Sequence, residues 1–202
     1  MRIAKGFDTS ERSVVASLYW EAFGAKLGRI LGPRTRAIAY ISRALMPDHA
    51  LCARDGEGGI LGVAGFKTYG GALVYGRLRD LCAAYGVFGG IWRGVALALL
   101  DRDTDNDRFL IDGIFVAPKA RGQGVGSRLI EALALEASER GYDDMRLDVV
   151  DGNTRAQELY ARRGFAVVKH SRPGLFSRSI GLAPVTTMVR HLKVQTSRAG
   201  QS

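Results

Sequence analysis

Cysteine is scarce in this sequence, and the spacing of the two that occur excludes several kinds of site. Cys52 and Cys82 are the only cysteines among 202 residues. They lie far apart in apolar runs, without the close spacing of a zinc site or of a disulfide-rich fold. The N-terminal segment is basic and polar and has no apolar core of the kind found in secretory signals. We therefore expect a reduced, cytoplasmic setting without a disulfide.

The sequence also lacks the usual signatures of nucleotide-binding and nucleic-acid-binding proteins. No Lys-Ser or Lys-Thr pair follows its glycine-rich segment, which excludes a mononucleotide P-loop. The glycines there alternate, so the dinucleotide pattern G-x-G-x-x-G is not met either. The formal charge is +9, and residues 152–202 hold nine Lys or Arg against the single Glu158. That bias favours polyanionic ligands, but no helix-turn-helix, zinc-finger or RNA-reading motif accompanies it, and we do not expect a nucleic-acid partner.

The most informative segment is the glycine-rich run VAPKARGQGVG at residues 116–126. A β-rich stretch stops at Pro118, and Gly122, Gly124 and Gly126 then open a helix. Glycines leave successive backbone N–H groups accessible at the positive end of a helix dipole, and Arg121 adds a full positive charge. The segment therefore predicts a loop that binds a pyrophosphate.

Two separated motifs resemble those of the GCN5-related N-acetyltransferase (GNAT) family. Arg121, Gly124 and Gly126 are similar to the family's cofactor loop, [QR]-x-x-G-x-[GA]. After the next predicted strand, the family has N-x-x-A-x-x-x-Y-x-x-x-G-F. The residues in register with it are Asn153, Ala156, Tyr160, Gly164 and Phe165. The resemblance covers about residues 109–170, and the order of the two motifs makes it far more specific than either motif alone.

The resemblance implies an α/β fold with a mixed, mostly antiparallel sheet of about seven strands flanked by helices. Periodicity and turn signals in the sequence agree with this element order. The predicted strands are residues 2–7, 49–54, 60–69, 108–117, 145–150, 165–170 and 185–192. The predicted helices follow a capping box at 8–11, begin near 33, and span 123–140 and 153–163. We expect one N-acetyltransferase domain over residues 1–195 and a disordered tail over 196–202.

The resemblance also implies acetyl-CoA as co-substrate, an amine acceptor, and no metal. The backbone amides of residues 121–127 would bind the pyrophosphate, and the fourth strand would contact the pantetheine arm, with a Val116 N–H near the thioester oxygen. The predicted cofactor-binding residues are Ile114, Phe115, Val116, Arg121, Gly122, Gln123, Gly124, Val125, Gly126, Ser127, Asn153, Ala156 and Tyr160. The family's tyrosine protonates the departing sulfur, so Tyr160 is the predicted general acid.

The general base is harder to identify, and Asp112 is the candidate. It is the only carboxylate in strand 108–117, and we expect it on the same face as Leu110, Ile114 and Val116, where burial would raise its pKa. The alternatives are that Asp112 has a structural role and that a water molecule accepts the proton of the amine. The three histidines, His49, His170 and His191, show no partner pattern and are interpreted as structural.

The segment at about residues 70–107 interrupts the family pattern as an insertion. Residues 83–100 are apolar except for Arg93, but glycines break the run, so we expect two short helices rather than a membrane span. The insertion is interpreted as a wall of an apolar acceptor pocket, in which Ile91 and Trp92 affect acceptor binding. A satellite core or a homodimer contact is the alternative. The acidic run at 101–107 resembles a calcium loop but lacks its turn glycine and bidentate glutamate, and is interpreted as a solvated loop.

The leading functional hypothesis is an N-acetyltransferase that acts on a small-molecule or peptide amine by direct attack. Two alternatives stay open. One is a module of the same fold that binds acyl-CoA without turnover. The other is a basic protein that docks on a partner or on a membrane surface through its C-terminal charge and its apolar insertion.

Overall fold

Seven strands of the chain form a single mixed sheet. The computed structural model describes residues 1–100, 108–172 and 183–192, so the acidic run and the predicted tail lie outside the described residues. The strands are β1 (Arg2–Lys5), β2 (Ala50–Arg54), β3 (Ile60–Lys67), β4 (Phe109–Val116), β5 (Asp144–Val150), β6 (Ala166–Ser171) and β7 (Val185–His191). Their order is β1-β2-β3-β4-β5-β7-β6, and every neighbouring pair is antiparallel except β4 and β5. The predicted mixed, mostly antiparallel sheet is confirmed.

Helices connect the strands in the predicted order. They are α1 (Arg12–Leu31), α2 (Arg34–Ala44), α3 (Leu78–Tyr85), α4 (Val87–Leu100), α5 (Val125–Glu139) and α6 (Thr154–Arg162). The first two join β1 to β2, and α5 and α6 flank β5 along the chain. The insertion between β3 and β4 contributes α3 and α4, so the expected pair of short helices is present.

Local signals end most elements close to where the sequence predicts. The Glu11 side chain accepts a hydrogen bond of 2.8 Å from the backbone N–H of Asp8, which forms the expected capping box ahead of α1. Gly141 follows α5 with a φ of +80°, as a C-terminal glycine should. The first strand is shorter than predicted. It ends at Lys5 because Gly6 takes a φ of +74°, which an extended strand does not accommodate.

One face of the sheet packs on α5. A Cβ atom at Gly62 would lie 3.1 Å from the side chain of Val125, so β3 approaches the start of this helix closely. Phe66, on the same face of β3, stacks on Phe109 with ring centroids 5.0 Å apart. The guanidinium of Arg140, just after α5, lies 5.1 Å from the centre of the Phe66 ring. These contacts form an aromatic and aliphatic core between the sheet and α5.

A β-bulge in β4 redirects its second half toward the opposite helical layer. The register with β3 jumps between Ile111 and Gly113, which leaves Asp112 as the additional residue. Phe109 and Phe115 are six positions apart, so an unbroken strand would place both rings on one face. Phe109 packs on the α5 side, whereas the ring of Phe115 packs edge-on against two aromatic rings of α1. The bulge therefore decides which side chains of β4 face α1.

The two helices of the insertion pack on α1 and α2. Gly86 separates them with a φ of +75°, and the Tyr85 hydroxyl at the end of α3 donates a hydrogen bond to the carbonyl of Leu31 at the end of α1. Leu81 of α3 is buried in the main core. Across the described ranges, no helix has the length and apolar character that crossing a membrane would need.

Candidate active site

The parallel strands β4 and β5 separate in the middle of the sheet. They pair only over Phe109–Ile111 and Met145–Leu147 and then diverge. A cleft of about 1800 Å³ opens beside the separated ends, and residues 112–114 of β4 and 148–150 of β5 both line it. Helices α1 to α4 and α6 line the remaining sides. The break in pairing begins directly at the bulge, so the same local irregularity opens the cleft and shapes its floor.

The separated half of β4 exposes main-chain hydrogen-bonding groups toward the cleft side. The N–H of Ala117 donates to the carbonyl of Leu61 in the strand on the other side, at 2.9 Å. Because successive residues of a strand point their N–H and C=O groups to opposite edges, Ile114 and Val116 direct theirs toward the open edge. The Val116 carbonyl accordingly accepts a hydrogen bond of 3.2 Å from Nε of Arg121. An extended ligand could therefore pair with this edge as an additional strand would.

The glycine loop leads into the uncapped N-terminus of α5. Gly122 and Gly124 have φ values of +79° and +76°, and a Cβ atom at either would point into open space. Gly124 is the N-cap of α5, and no side chain caps the helix. The first intrahelical bond runs from the N–H of Arg128 to the carbonyl of Gly124, at 3.1 Å. The amides of residues 124–127 thus have no intrahelical partner, which is the arrangement that binds anions at helix N-termini.

The second motif lies on α6 and faces the cleft. Asn153 caps this helix, because its side chain accepts a hydrogen bond of 3.2 Å from the N–H of Ala156. Asn153, Ala156 and Tyr160 all line the cleft. The Tyr160 ring packs edge-on against Phe165, with centroids 5.8 Å apart. Burial raises the pKa of the Tyr160 phenol to about 12. The phenol therefore keeps its proton at neutral pH, as a proton donor must.

Asp112 lines the cleft at the bulge, but its surroundings differ from the prediction. Its side chain is exposed, so the expectation of a buried carboxylate is wrong. The expected shared face with Ile114 and Val116 is also wrong, because the additional residue at the bulge reverses the alternation beyond it. Sequence periodicity assumes an unbroken strand and could not foresee this. The side chain stands where the two strands part, within the same cleft as Tyr160.

Two aromatic residues of α1 belong to the cleft, although neither lies in one of the two sequence motifs. Tyr19 and Phe23 both line it, with ring centroids 4.7 Å apart. Burial, and secondarily the charge of Asp112, which lines the same cleft, raise the pKa of the Tyr19 phenol. A Cβ atom at Gly113 would lie 2.4 Å from the Phe23 ring. The glycine beside the bulge is thus what allows Phe23 to reach the strand.

The opposite wall of the cleft carries a charged pair on β5. Arg146 donates to the carboxylate of Asp148 at 3.1 Å, and the hydroxyl of Thr187 donates to the same carboxylate at 2.6 Å. Both charged side chains line the cleft. Polar and apolar residues alternate in the sequence of β5, but this alternation does not indicate on which face of the sheet the cleft lies.

Of the remaining candidates, some line the cleft and others do not. Ile91 of the insertion lines it, whereas Trp92 is not among the described residues that do. The histidines have hydrogen-bond partners elsewhere: His49 with Thr68, His170 with Thr186 and His191 with Asp144. Over residues 1–100, 108–172 and 183–192, no three His, Cys, Asp or Glu side chains form a group that could hold a metal ion.

Comparisons with known proteins agree with this architecture. Residues 14–165 match the sequence model described as the acetyltransferase (GNAT) family. A 54-residue stretch is 43% identical to thialysine N-epsilon-acetyltransferase of Bos taurus and covers 27% of this chain and 32% of that protein. Another stretch of 61 residues is 43% identical to streptothricin acetyltransferase of Streptomyces lavendulae and covers 30% of this chain and 32% of that protein. The aligned parts thus span about a third of these relatives.

Solved structures share the fold at low sequence identity. The GCN5-related N-acetyltransferase from Kribbella flavida superposes with a TM-score of 0.62 at 18% identity, over 95% of this chain and 97% of that one. An N-acetyltransferase from Staphylococcus aureus Mu50 superposes with a TM-score of 0.65 at 14% identity, over 94% of this chain and 100% of that one. At this level of identity the likeness concerns the fold alone.

Proposed function

The chain belongs to the acetyltransferase (GNAT) family, and on that premise we propose that it transfers an acetyl group from acetyl-CoA to an amine. The observation that carries the proposal is the separation of β4 and β5, which leaves an unpaired strand edge beside a cleft that Tyr160 also lines. The open glycine loop follows the same strand, and a Cβ atom at its Gly126 would lie 3.4 Å from the side chain of Leu159, next to Tyr160 on α6. The binding and catalytic roles that the sequence analysis assigned to individual residues remain predictions. The features described below support them.

The glycine loop and β4 fit the two ends of acetyl-CoA. The free amides at the start of α5 suit the diphosphate, and Gly122 and Gly124 leave room for it because neither position carries a side chain. The open edge at Ile114 and Val116 suits the amides of the pantetheine arm. The main-chain groups of Phe115, between these two residues, point toward β3 instead, and its side chain is buried against α1. Arg121 lies exposed beside the loop and adds positive charge near the phosphates.

Chemistry at the thioester then requires three contributions from this chain. The N–H of Val116 would donate a hydrogen bond to the thioester oxygen, where negative charge develops. The acceptor nitrogen attacks the thioester carbon, the carbon–sulfur bond breaks, and the Tyr160 hydroxyl donates its proton to the departing sulfur. The proton lost by the amine passes to Asp112 or to water. Asp112 would also attract the ammonium form of the acceptor into the cleft.

A thiol-release assay with acetyl-CoA and a panel of amines tests the proposal. We expect thiol release with at least one amine, and we expect Tyr160→Phe to lower kcat about 10²- to 10⁴-fold with little change in KM for acetyl-CoA. Tyr142→Phe is the matched control, because Tyr142 packs on Phe109 beside α5 and is not among the residues that line the cleft. Tight acetyl-CoA binding without thiol release for any amine would instead identify the non-catalytic module. An unchanged kcat in Tyr160→Phe would remove this residue from the mechanism.

The remaining expectations from the sequence stay predictions. They are the single domain over residues 1–195, the cytoplasmic location and the lack of a nucleic-acid partner. A satellite core or a homodimer contact stays the alternative for the insertion.

A further inference from the structure

The insertion presents large apolar side chains to the interior of the cleft. Tyr75, Leu78, Ile91 and Val95 all line it, and they are 58%, 53%, 47% and 58% exposed. Scattered apolar residues on a convex surface need no explanation, but several of them turned into one concave site mark a place where a ligand covers apolar surface.

Charge is divided unequally between the walls of this cleft. Its described lining includes six charged side chains, all on the strands or directly after one: Lys67, Asp112, Arg146, Asp148, Lys169 and Arg172. The part of the described lining that belongs to helices α1 to α4 contains none, and includes Ala22, Phe23 and Leu27 of α1. One wall is therefore polar and the other apolar, and the carboxylate at the bulge stands on the polar one.

From this division we infer that the acceptor is a primary amine on an apolar body, with its nitrogen at the strand wall beside Asp112 and its hydrocarbon part against α1, α3 and α4. The inference rests on the proposed function, since it assigns the acceptor of the same reaction. Phe23 of the apolar wall reaches the point where β4 and β5 separate, because its ring lies against Gly113, just beyond the last paired residue of β4. A hydrocarbon chain attached to the reacting amine would therefore extend directly onto this wall.

Helix α4 supplies its own internal control for this inference. Ile91 and Val95 are four positions apart and line the cleft together with Gly94 and Ala98, which is one face of the helix. Phe88 is 90% exposed and is not among the described residues that line the cleft. Changing Phe88 alters a large apolar side chain of the same helix without altering the site.

The test measures thiol release from acetyl-CoA with straight-chain primary amines from ethylamine to hexylamine. We expect kcat/KM to rise about fourfold for each added CH₂ group until the apolar wall is covered. The increase should flatten in Ile91→Ser and in Val95→Ser, with unchanged acetyl-CoA affinity by calorimetry. Phe88→Ser should keep the wild-type slope, and Ile91→Leu should largely restore it.

Two outcomes would overturn the inference. One is an active wild-type enzyme whose kcat/KM does not depend on chain length. The other is an equal loss of slope in Phe88→Ser and Ile91→Ser, which would indicate a general disturbance of the insertion. If the thermal melt shows that Ile91→Ser does not fold, the chain-length dependence of kcat/KM in the wild type still tests the inference. Absence of thiol release with every amine would contradict the proposed function instead, so the two failures are distinguishable.

Discussion

A comparison of two glycines at opposite ends of α5 separates ligand binding from folding. Gly124 precedes the helix and Gly141 follows it, with φ values of +76° and +80°. A Cβ atom at either position would meet no other atom within 4 Å. Gly124→Ala and Gly141→Ala therefore impose the same kind of backbone strain and no steric clash, but only the first acts at the predicted pyrophosphate loop.

The magnitudes follow from this geometry. Holding an alanine in the left-handed region costs about 1–2 kcal/mol, so both variants should lose similar stability, with melting temperatures about 2–8 °C lower. In Gly124→Ala the added methyl group also stands where the diphosphate would approach the amides. Losing one hydrogen bond to a charged group costs about 1.5–3 kcal/mol, which lowers the affinity for acetyl-CoA roughly 10- to 100-fold.

Thermal melts and calorimetric titration with acetyl-CoA measure the two effects separately. We expect matched melting temperatures and a loss of affinity confined to Gly124→Ala. The reasoning is refuted if both variants bind acetyl-CoA as tightly as the unmodified protein, because the amides of residues 124–127 would then not hold the diphosphate. An equal loss of affinity in both variants would likewise contradict it, since Gly141 lies at the far end of the helix.

Three further predictions follow from individual contacts. Asp112→Asn should lower kcat about 10²- to 10⁴-fold and shift the acidic limb of the pH–rate profile if Asp112 is the base, whereas an unaltered limb would assign that role to water. Gly113→Ala should destabilise the fold by about 1–3 kcal/mol in denaturant titrations, because its Cβ would meet the Phe23 ring at 2.4 Å, and the double variant with Phe23→Leu should recover part of that loss. The hydrogen bonds from Arg54 lower the pKa of Glu11 below its ordinary value of 4.5, so the pair stabilises the fold above that value and its contribution disappears as the pH falls through the lowered pKa. Glu11→Gln should consequently be less stable at pH 7 and lose less stability on acidification, and parallel loss in both proteins would contradict this.

Features that depend on local spacing could be predicted from the sequence. The helix after the glycine loop, the cap at Asn153 and the turn at Gly141 all follow from the conformational freedom of glycine and from short-range hydrogen bonds. The order of strands and helices followed from periodicity and from the two motifs. Small errors in the predicted element boundaries, such as the early end of β1 before Gly6, arose where one backbone angle ends a strand although the residue pattern is still compatible with it.

Asp112 illustrates what a linear pattern cannot convey. The sequence showed that Asp112 is a carboxylate in a strand. Its exposure, however, depends on the β-bulge, in which Asp112 has no partner on β3, and the bulge exists only when β4 pairs with β3. The role of Tyr19 and Phe23 as cleft residues also depends on α1 crossing β4 at Gly113, a contact between segments about 90 positions apart. Periodicity can place rings on one face of a helix, but it does not indicate what that face contacts.

The sequence by itself determined the family, the order of the elements, and the positions of the glycine loop and of the tyrosine predicted to donate a proton, because each depends on residues close together along the chain. Only the tertiary structure decided where the two central strands separate, which wall of the cleft carries charge, and which face of α4 lines the cleft. Those properties arise from strand register and helix packing between distant segments, and both are settled only when the whole core forms.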